Sequence, residues 1–179
     1  RVIVYMPMVP EALVAMLAAV EGISDLALTT NGTLLAAKAG ALRQAGLQRV
    51  TVSLDSLDED VFRAMNDMGV PLARVLEGIA AARDAGFAPV KLNTVVKRGV
   101  NDHGLVDLAR FARANGVVVR FIEYMDVGTT NGWRMEDVVP AAEVIGRIDN
   151  ELPLEPVGPN YRGEVAHRYR YRDGQGEIG

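Results

Sequence analysis

The sequence predicts an α/β protein whose parallel sheet forms a partial (β/α) barrel. Short β-branched, apolar runs alternate with longer runs rich in alanine and leucine along most of the 179 residues. Such alternation is typical of βαβ units, which have parallel strands and right-handed crossovers. Candidate strands begin about 23 to 41 residues apart, which fits the repeating unit of a barrel. A doubly wound open sheet is the alternative architecture.

Three candidate strands and four candidate helices occupy the first half of the chain. Proline or a capping aspartate stands at the start of three of these helices, and glycine follows two of them, which is typical of helix boundaries. The candidate strands are Val2–Tyr5, Asp25–Thr29 and Arg49–Leu54. The candidate helices are Glu11–Val20, Leu34–Ala45 before Gly46, Asp58–Met65, and Pro71–Ala85 before Gly86.

Two further strands and two further helices precede a tail that is rich in proline and glycine. The strands are Val90–Val96 and Val117–Glu123, and the helices run from Asn101 or Asp102 to Ala114 and from Val139 to Asn150, with a polar stretch at Asp126–Trp133. In the tail, Val165–Arg172 alternates, and we expect its arginines to share one face of a solvated edge strand. We therefore divide the chain into a partial barrel, residues 1–150, and the start of a C-terminal extension, residues 151–179.

The composition excludes several classes of function. Hydrophobic residues form 49% of the chain, and the formal charge of −4 argues against nucleic-acid binding. The absence of cysteine excludes disulfides, thiolate zinc sites, cysteine nucleophiles and an iron–sulfur cluster held by the chain's own thiolates. No apolar run approaches the roughly 20 residues of a membrane helix, and no signal peptide is evident, so we expect a cytoplasmic protein with no membrane partner.

Familiar nucleotide and metal motifs are absent from the sequence. It contains neither a Gly-x-Gly-x-x-Gly fingerprint nor a glycine-rich loop ending in Gly-Lys-Ser/Thr. The two histidines, His103 and His167, do not have the spacing of metal ligands. Chemistry must therefore be sought at the carboxyl ends of the strands, where ligands bind in barrels and open parallel sheets.

Small polar side chains follow the second and third strands. Thr29, Thr30 and Asn31 can hydrogen-bond a ribose or a phosphate, or form only a turn and a helix cap. Ser53 and Asp55 leave the third strand in the same way, and a carboxylate there can bind a sugar hydroxyl or support a neighbouring ligand group. Helix capping by nearby side chains, at positions 56 and 58, is the alternative.

A lysine lies on the fourth strand. Lys91 and Asn93 are two residues apart, so they share one strand face with Val95. Core parallel strands are usually apolar on both faces, and a lysine there is costly unless it is paired or hydrated. We interpret Lys91 as a cation aimed into a barrel lumen and suited to phosphate or carboxylate. The alternative is a lysine at the edge of the strand that extends to solvent.

The fifth strand carries an arginine and ends near a methionine. Arg120 follows three valines, and an arginine this deep in an apolar strand needs a carboxylate or phosphate partner. Glu123 is one candidate, although it lies on the opposite face of a regular strand. Met125 can pack against an adenine or simply fill the core.

Seven short motifs occur in order along the chain. They are Leu28–Gly32, Arg49–Asp58, Val90–Asn93, Gly99–Asp102, Arg120–Gly128, Asn131–Trp133 and Gly163–Ala166. Each motif is weak alone, whereas seven in this order and spacing are specific. Together they resemble the GTP 3',8-cyclases of molybdenum cofactor biosynthesis, a family of radical S-adenosylmethionine (SAM) enzymes.

The resemblance implies an incomplete (β/α) barrel of the radical SAM type that converts GTP to (8S)-3',8-cyclo-7,8-dihydroguanosine 5'-triphosphate. In that family, a 5'-deoxyadenosyl radical made from SAM at a [4Fe–4S] cluster abstracts a hydrogen from the GTP ribose. The resemblance also implies two such clusters, a homodimer, and transfer of the product to the cyclic pyranopterin monophosphate synthase. It assigns GTP binding to Thr29, Lys91, Arg120 and Asn93, and SAM binding to Ser53 and Met125.

The chain departs from the family in the parts that generate the radical. The Cys-x3-Cys-x2-Cys cluster loop is missing, and residues 5–10 contain no glycine where a Gly-Gly-Glu-Pro turn is expected. The resemblance places a second cysteine set, within the missing C-terminal region, beyond residue 179. We therefore expect this chain alone to be inactive as a cyclase. A degenerate nucleotide-binding module and a non-catalytic structural fragment are the alternatives.

Overall fold

Strands and helices alternate along the chain as predicted. The computed structural model describes residues 2–5, 11–66, 69–127, 132–159 and 167–179. The strands are β1 (Val2–Tyr5), β2 (Leu26–Thr30), β3 (Arg49–Ser53), β4 (Lys91–Val96), β5 (Val118–Glu123), β6 (Leu154–Val157), β7 (Arg168–Tyr171) and β8 (Glu177–Ile178). The helices are α1 (Glu11–Ala18), α2 (Leu35–Gln44), α3 (Glu59–Met65), α4 (Leu72–Asp84), α5 (Leu105–Ala114) and α6 (Ala141–Asp149). Short 3₁₀ turns at Asp102–Gly104 and Met135–Asp137 precede α5 and α6.

The strand order distinguishes the two predicted architectures. The eight-stranded sheet has the order β1-β2-β3-β4-β5-β8-β7-β6, and β1 to β5 are parallel neighbours in chain order. A doubly wound sheet would reverse its order at a switch point, and β1 to β5 show no reversal. Right-handed crossovers between successive strands place the connecting helices on one face of the sheet. The partial (β/α) barrel is therefore confirmed, and the doubly wound alternative is wrong.

The two faces of the parallel sheet differ in burial. Alternate residues point towards the helices and form the core; Val52, Leu92 and Val119 are fully buried there. The intervening residues of β4 are only half-buried, as the alternating pattern of that strand shows. We call this second side of the sheet the concave face, because it corresponds to the lumen of a complete barrel. Within the described residues, no helix has both the length and the apolar composition needed to span a bilayer.

The C-terminal strands extend the same sheet. β8 runs parallel to β5, and β7 lies between β8 and β6 with antiparallel pairing on both sides. The predicted edge position of β7 is therefore wrong. Arg168 pairs with Glu177 of β8 and Arg170 pairs with Glu155 of β6, so neighbouring strands neutralise this charge. The strands β6 and β8 were not predicted, because they are short and lie among prolines and glycines.

Some predicted features lie outside the described residues. These are residues 6–10, residues 128–131 and residues 160–166. Residues 128–131 belong to the polar stretch and to the Arg120–Gly128 and Asn131–Trp133 motifs. Residues 160–166 include the start of the alternating run and the Gly163–Ala166 motif. The division at residue 150 stays a prediction.

Side chains shape the segments that precede two of the helices. The Asp58 carboxylate accepts hydrogen bonds from the backbone N–H groups of Asp60 at 2.9 Å and Val61 at 3.0 Å, which confirms the predicted cap of α3. Helix α5 begins later than predicted, at Leu105, after a 3₁₀ turn. The carboxylate of Asp102 accepts from the backbone N–H of Gly99 at 2.7 Å and so shapes the preceding turn instead of capping a longer helix.

Helices α2 and α4 approach each other closely where glycines replace larger residues. A Cβ placed on Gly78 of α4 would lie 2.5 Å from the carbonyl oxygen of Gly32 and 3.1 Å from Cβ of Leu35. Gly32 has φ +80, and a Cβ there would lie 2.9 Å from Cγ1 of Val52. The turn that follows β2 is therefore fixed by contact with both α4 and β3.

We expect Gly78→Ala to destabilise the protein by about 1 to 3 kcal/mol, since the new methyl group overlaps backbone that cannot move freely. Gly146→Ala in α6 is the matched control, because nothing lies within 4 Å of its added Cβ. This control should be neutral or stabilising by up to about 1 kcal/mol, as alanine favours helix. Urea unfolding measures both, and equal effects would contradict the close approach.

Candidate functional site

Polar side chains line up across the concave face of β2 to β5. Strand pairing places Thr29 beside Thr51, and Thr51 beside Lys91. One layer closer to the carboxyl ends, Ser53 is beside Asn93, and Asn93 is beside Arg120. Because side chains alternate along each strand, residues of both layers point to the same face. Five of the six predicted site residues are thus brought together.

The predicted lysine lies in the interior of the sheet. Lys91 is on β4, which has β3 on one side and β5 on the other. Lys91 is also the first residue of β4, so the alternative of a lysine at the edge of the strand stays a prediction. Lys91 is half-buried on the concave face, whereas its neighbour Leu92 points to the helices and is fully buried. A cation in this setting favours an anionic or strongly polar contact.

Arg120 shares the concave face with Lys91. Its Nη2 lies 3.5 Å from the Thr51 hydroxyl oxygen on β3, so the guanidinium extends across β4. Glu123 is not its partner, because the Glu123 carboxylate accepts a hydrogen bond from the backbone N–H of Ala141 at 2.7 Å, at the start of α6. The predicted orientation of Glu123 away from Arg120 is confirmed. Two cationic side chains, from adjacent strands, therefore share the concave face.

Asn93 carries an acceptor that the described residues do not satisfy. Its Oδ1 atom is buried and has no hydrogen-bond partner in the part of the chain that the structure describes. Leaving a buried acceptor unpaired costs about 1 to 3 kcal/mol. The amide lies in register between the Ser53 and Arg120 positions. This arrangement fits a nucleoside whose hydroxyl or amino group donates to the amide.

The turn after β2 divides its polar groups between two tasks. The Thr30 hydroxyl accepts from the backbone N–H of Gly32 at 3.2 Å, and the Asn31 side chain accepts from the backbone N–H of Thr33 at the same distance. The turn chemistry predicted for this segment is therefore performed by Thr30 and Asn31. Thr29 is half-buried one residue earlier, on the concave face.

Met125 lies apart from the two layers, two residues beyond the end of β5. It is 60% exposed. It does not fill the core, so the alternative of a core methionine is wrong. A polarizable thioether that is exposed just past the end of β5 can contact a purine ring or a sulfonium centre.

A buried amide fixes the carboxyl ends of β3 and β4. The Asn101 Nδ2 atom donates to the backbone carbonyls of Asp55 and Val95, both at 2.8 Å, and its Oδ1 accepts from the backbone N–H of Lys97 at 2.8 Å. Sequence reasoning treated Asn101 only as a helix cap. Its 1% exposure shows that it is instead a structural part of the site's base. Only the Gly99–Asp102 motif gave a signal for it.

The side chain of Asp55 also links the carboxyl ends of β3 and β4. Its Oδ1 accepts from the backbone N–H of Val95 at 2.8 Å, in place of a main-chain acceptor. Burial raises the pKa of the Asp55 carboxyl above its ordinary value, and the hydrogen bond from Val95 opposes that shift only in part. The buried carboxylate is therefore less stable in its charged form than an exposed one.

The residues present do not fit an iron–sulfur cluster. None of the 179 residues is a cysteine, so no thiolate ligand exists. Among the residues that the structure describes, no group of three or more His, Cys, Asp or Glu side chains is placed to hold a metal ion. The unpaired acceptor of Asn93, beside a hydroxyl and two cations, fits a nucleotide instead.

We expect Asp55→Asn to be more stable than the wild type at pH 7. The folded protein holds the Asp55 proton more tightly than the unfolded chain, so ionisation destabilises the fold as pH rises above the ordinary value of 3.8 and through the folded pKa. Asparagine keeps an acceptor for Val95 without the buried charge. The gain in the urea midpoint should shrink as pH is lowered through that window.

The exposed Asp107→Asn variant should show no such pH-dependent gain. An Asp55→Asn protein that is less stable than the wild type at pH 7 would contradict the dominance of burial over the hydrogen bond.

Comparison with known proteins identifies the superfamily. Residues 6–112 match the Radical SAM superfamily, and residues 117–179 match Molybdenum Cofactor Synthesis C. A GTP 3',8-cyclase of Acidothermus cellulolyticus is 60% identical over 93% of this chain and 46% of the relative. The GTP 3',8-cyclases of Xanthomonas axonopodis pv. citri and Staphylococcus carnosus are 53% and 41% identical, over 94% and 93% of this chain and 50% and 49% of their own lengths.

The chain spans about half the length of the curated relatives it matches. The superfamily match covers residues 6–112, which include β2, β3 and β4 with their site residues. The chain belongs to the Radical SAM superfamily.

Proposed function

We propose that this chain forms the nucleotide-binding wall of a GTP 3',8-cyclase, which converts GTP to (8S)-3',8-cyclo-7,8-dihydroguanosine 5'-triphosphate in molybdenum cofactor biosynthesis. The observation that carries the proposal is the pair of cations, Lys91 and Arg120, on one face of adjacent interior strands. The sequence identity to proteins named GTP 3',8-cyclase supports the substrate.

GTP is bound in this proposal by Lys91, Arg120, Thr29 and Asn93. The two cations meet the phosphates, since ammonium and guanidinium groups are the usual phosphate ligands. The Thr29 hydroxyl and the Asn93 amide, on the same face, meet the neutral parts of the nucleotide. The unpaired Oδ1 of Asn93 would then gain the donor that it lacks.

SAM is bound in this proposal by Ser53 and Met125. The Ser53 hydroxyl is beside Asn93, at the carboxyl end of β3, and can bond a sugar hydroxyl. The exposed Met125 side chain offers an apolar, polarizable contact for the adenine. SAM, when bound, is the source of the radical in this superfamily, and these residues bind and orient it.

The iron–sulfur chemistry is not supplied by these residues. Membership of the superfamily implies SAM and an iron–sulfur cluster. We propose two [4Fe–4S] clusters for the complete enzyme, and their thiolates must come from outside these 179 residues. A cytoplasmic location, a homodimer and transfer of the product to the cyclic pyranopterin monophosphate synthase complete the proposal.

A nucleotide-binding module without catalysis is the second candidate. It is favoured by one observation: the chain has a cationic, polar face but no thiolate.

We also propose the division into residues 1–150 and 151–179, with the second part as the start of the extension that matches Molybdenum Cofactor Synthesis C.

We expect Lys91→Met to weaken GTP binding by about tenfold or more in low salt, because a charge-assisted contact to phosphate is lost. Isothermal titration calorimetry with GTP measures this loss, which should shrink as salt screens the site. Arg74→Met is the matched control, since it removes one cation from the exposed surface of α4. Equal GTP affinities for the wild type and Lys91→Met would contradict the proposed phosphate contact.

Anaerobic iron–sulfur reconstitution distinguishes the role of this chain from that of the complete enzyme. We expect no stoichiometric four-iron cluster and no cyclase activity from these 179 residues, because they contain no thiolate. Iron and sulfide analysis, with product detection, measures both. A stoichiometric cluster with turnover would show that other ligands suffice.

A further inference from the structure

The segment that carries Met125 is held by contacts with two other parts of the chain. Met125 immediately follows Tyr124, and Tyr124 immediately follows β5. The indole Nε1 of Trp133 donates a hydrogen bond to the backbone carbonyl of Tyr124 at 2.9 Å. The Lys97 ammonium lies 4.7 Å from the centroid of the Tyr124 ring. Both the main chain and the side chain of Tyr124 are therefore held.

Lys97 is itself firmly placed. Its backbone N–H donates to the side chain of Asn101 at 2.8 Å, and its residue forms an isolated antiparallel bridge with Val138. Its ammonium lies 3.5 Å from a carboxylate oxygen of Asp137. The cation above the Tyr124 ring is thus fixed by the end of β4 and by the turn that precedes α6.

We propose that Trp133 and Lys97 are positioning residues, which hold Tyr124 and so keep Met125 at the mouth of the site for contact with SAM. The proposal rests on the proposed function, in which Met125 contacts the adenine of SAM. An exposed methionine has high conformational freedom, and ordering it costs binding free energy. Fixing the preceding residue on both its backbone and its ring lowers that cost.

The effect should be selective for SAM over GTP. Lys91 and Asn93 lie within β4 and are held by strand pairing on both sides, independently of Tyr124. Met125 lies beyond Glu123, the last residue of β5 that pairs with β4, and it follows Tyr124 directly. Weakening the Tyr124 contacts therefore moves Met125 while leaving the cationic face in place.

Isothermal titration calorimetry with SAM and with GTP tests the proposal on the purified protein. Trp133→Phe removes the indole N–H but keeps an aromatic ring, and we expect SAM affinity to fall about two- to tenfold. Lys97→Met removes the cation but keeps the aliphatic stem, and we expect a fall of about two- to fivefold. GTP affinity should stay within about twofold in both, since its proposed ligands lie on paired strands.

Two control variants distinguish the possible failures. Arg134 is next to Trp133, and among the described residues its exposed side chain pairs only with Glu136. The Arg134→Met variant should therefore leave SAM affinity unchanged. Met125→Ala tests the SAM contact itself. Trp133 is the only tryptophan of the chain, so its fluorescence gives an independent record of SAM binding in every variant that retains it.

Each outcome has a distinct meaning. If Met125→Ala weakens SAM binding but Trp133→Phe and Lys97→Met do not, the positioning role is wrong and the proposed SAM contact survives. If the wild type does not bind SAM, or if Met125→Ala binds it normally, the SAM contact fails and the positioning role fails with it. If Trp133→Phe lowers SAM affinity, GTP affinity and the melting temperature together, Trp133 has only a general structural role.

Discussion

The site depends on the junction of β3 and β4 at their carboxyl ends. Beyond the last paired residues, side chains replace the main-chain ladder: Asp55 accepts from Val95, and the Thr94 hydroxyl donates to the carbonyl of Leu54 at 2.6 Å. Asn101 then joins the two strand ends through three hydrogen bonds. Such a buried network stabilises a structure when all its members are satisfied. It fixes the spacing of the strands that carry Ser53, Lys91 and Asn93.

The sequence predicts the parallel strands and the direction of their side chains because both follow from local periodicity. Lys91 and Asn93 share a face since the strand period is two, and the structure places them so. The contact between Arg120 and Thr51 was not predictable, because it depends on strand register across β4, which a single sequence does not specify. Asn101 was misinterpreted for a related reason: a helix cap and a strand-end bridge use the same residue type in the same place.

The C-terminal strands show where local pattern fails. The alternation of arginine and tyrosine in β7 is typical of an exposed edge, yet β7 is interior because each arginine finds a glutamate on the adjacent strand. Tyr171, on the same strand, is buried and donates to the carbonyl of Ala109 at 3.2 Å; burial raises its pKa to about 12. The interior position of β7 and the burial of Tyr171 both depend on partners outside the strand itself. Neither β6 nor β8 is long enough to predict alone.

The net charge of the chain and the charge of its site have opposite signs. The chain carries a formal charge of −4, yet the concave face carries Lys91 and Arg120. Three carboxylates near the strand ends contact other groups: Asp55 accepts from the backbone of Val95, Glu123 accepts from the start of α6, and Asp137 pairs with Lys97. Because Coulomb interactions weaken with distance and salt, the nearest charges dominate what a ligand meets. A chain with a net negative charge can therefore still offer local cationic groups to an anion.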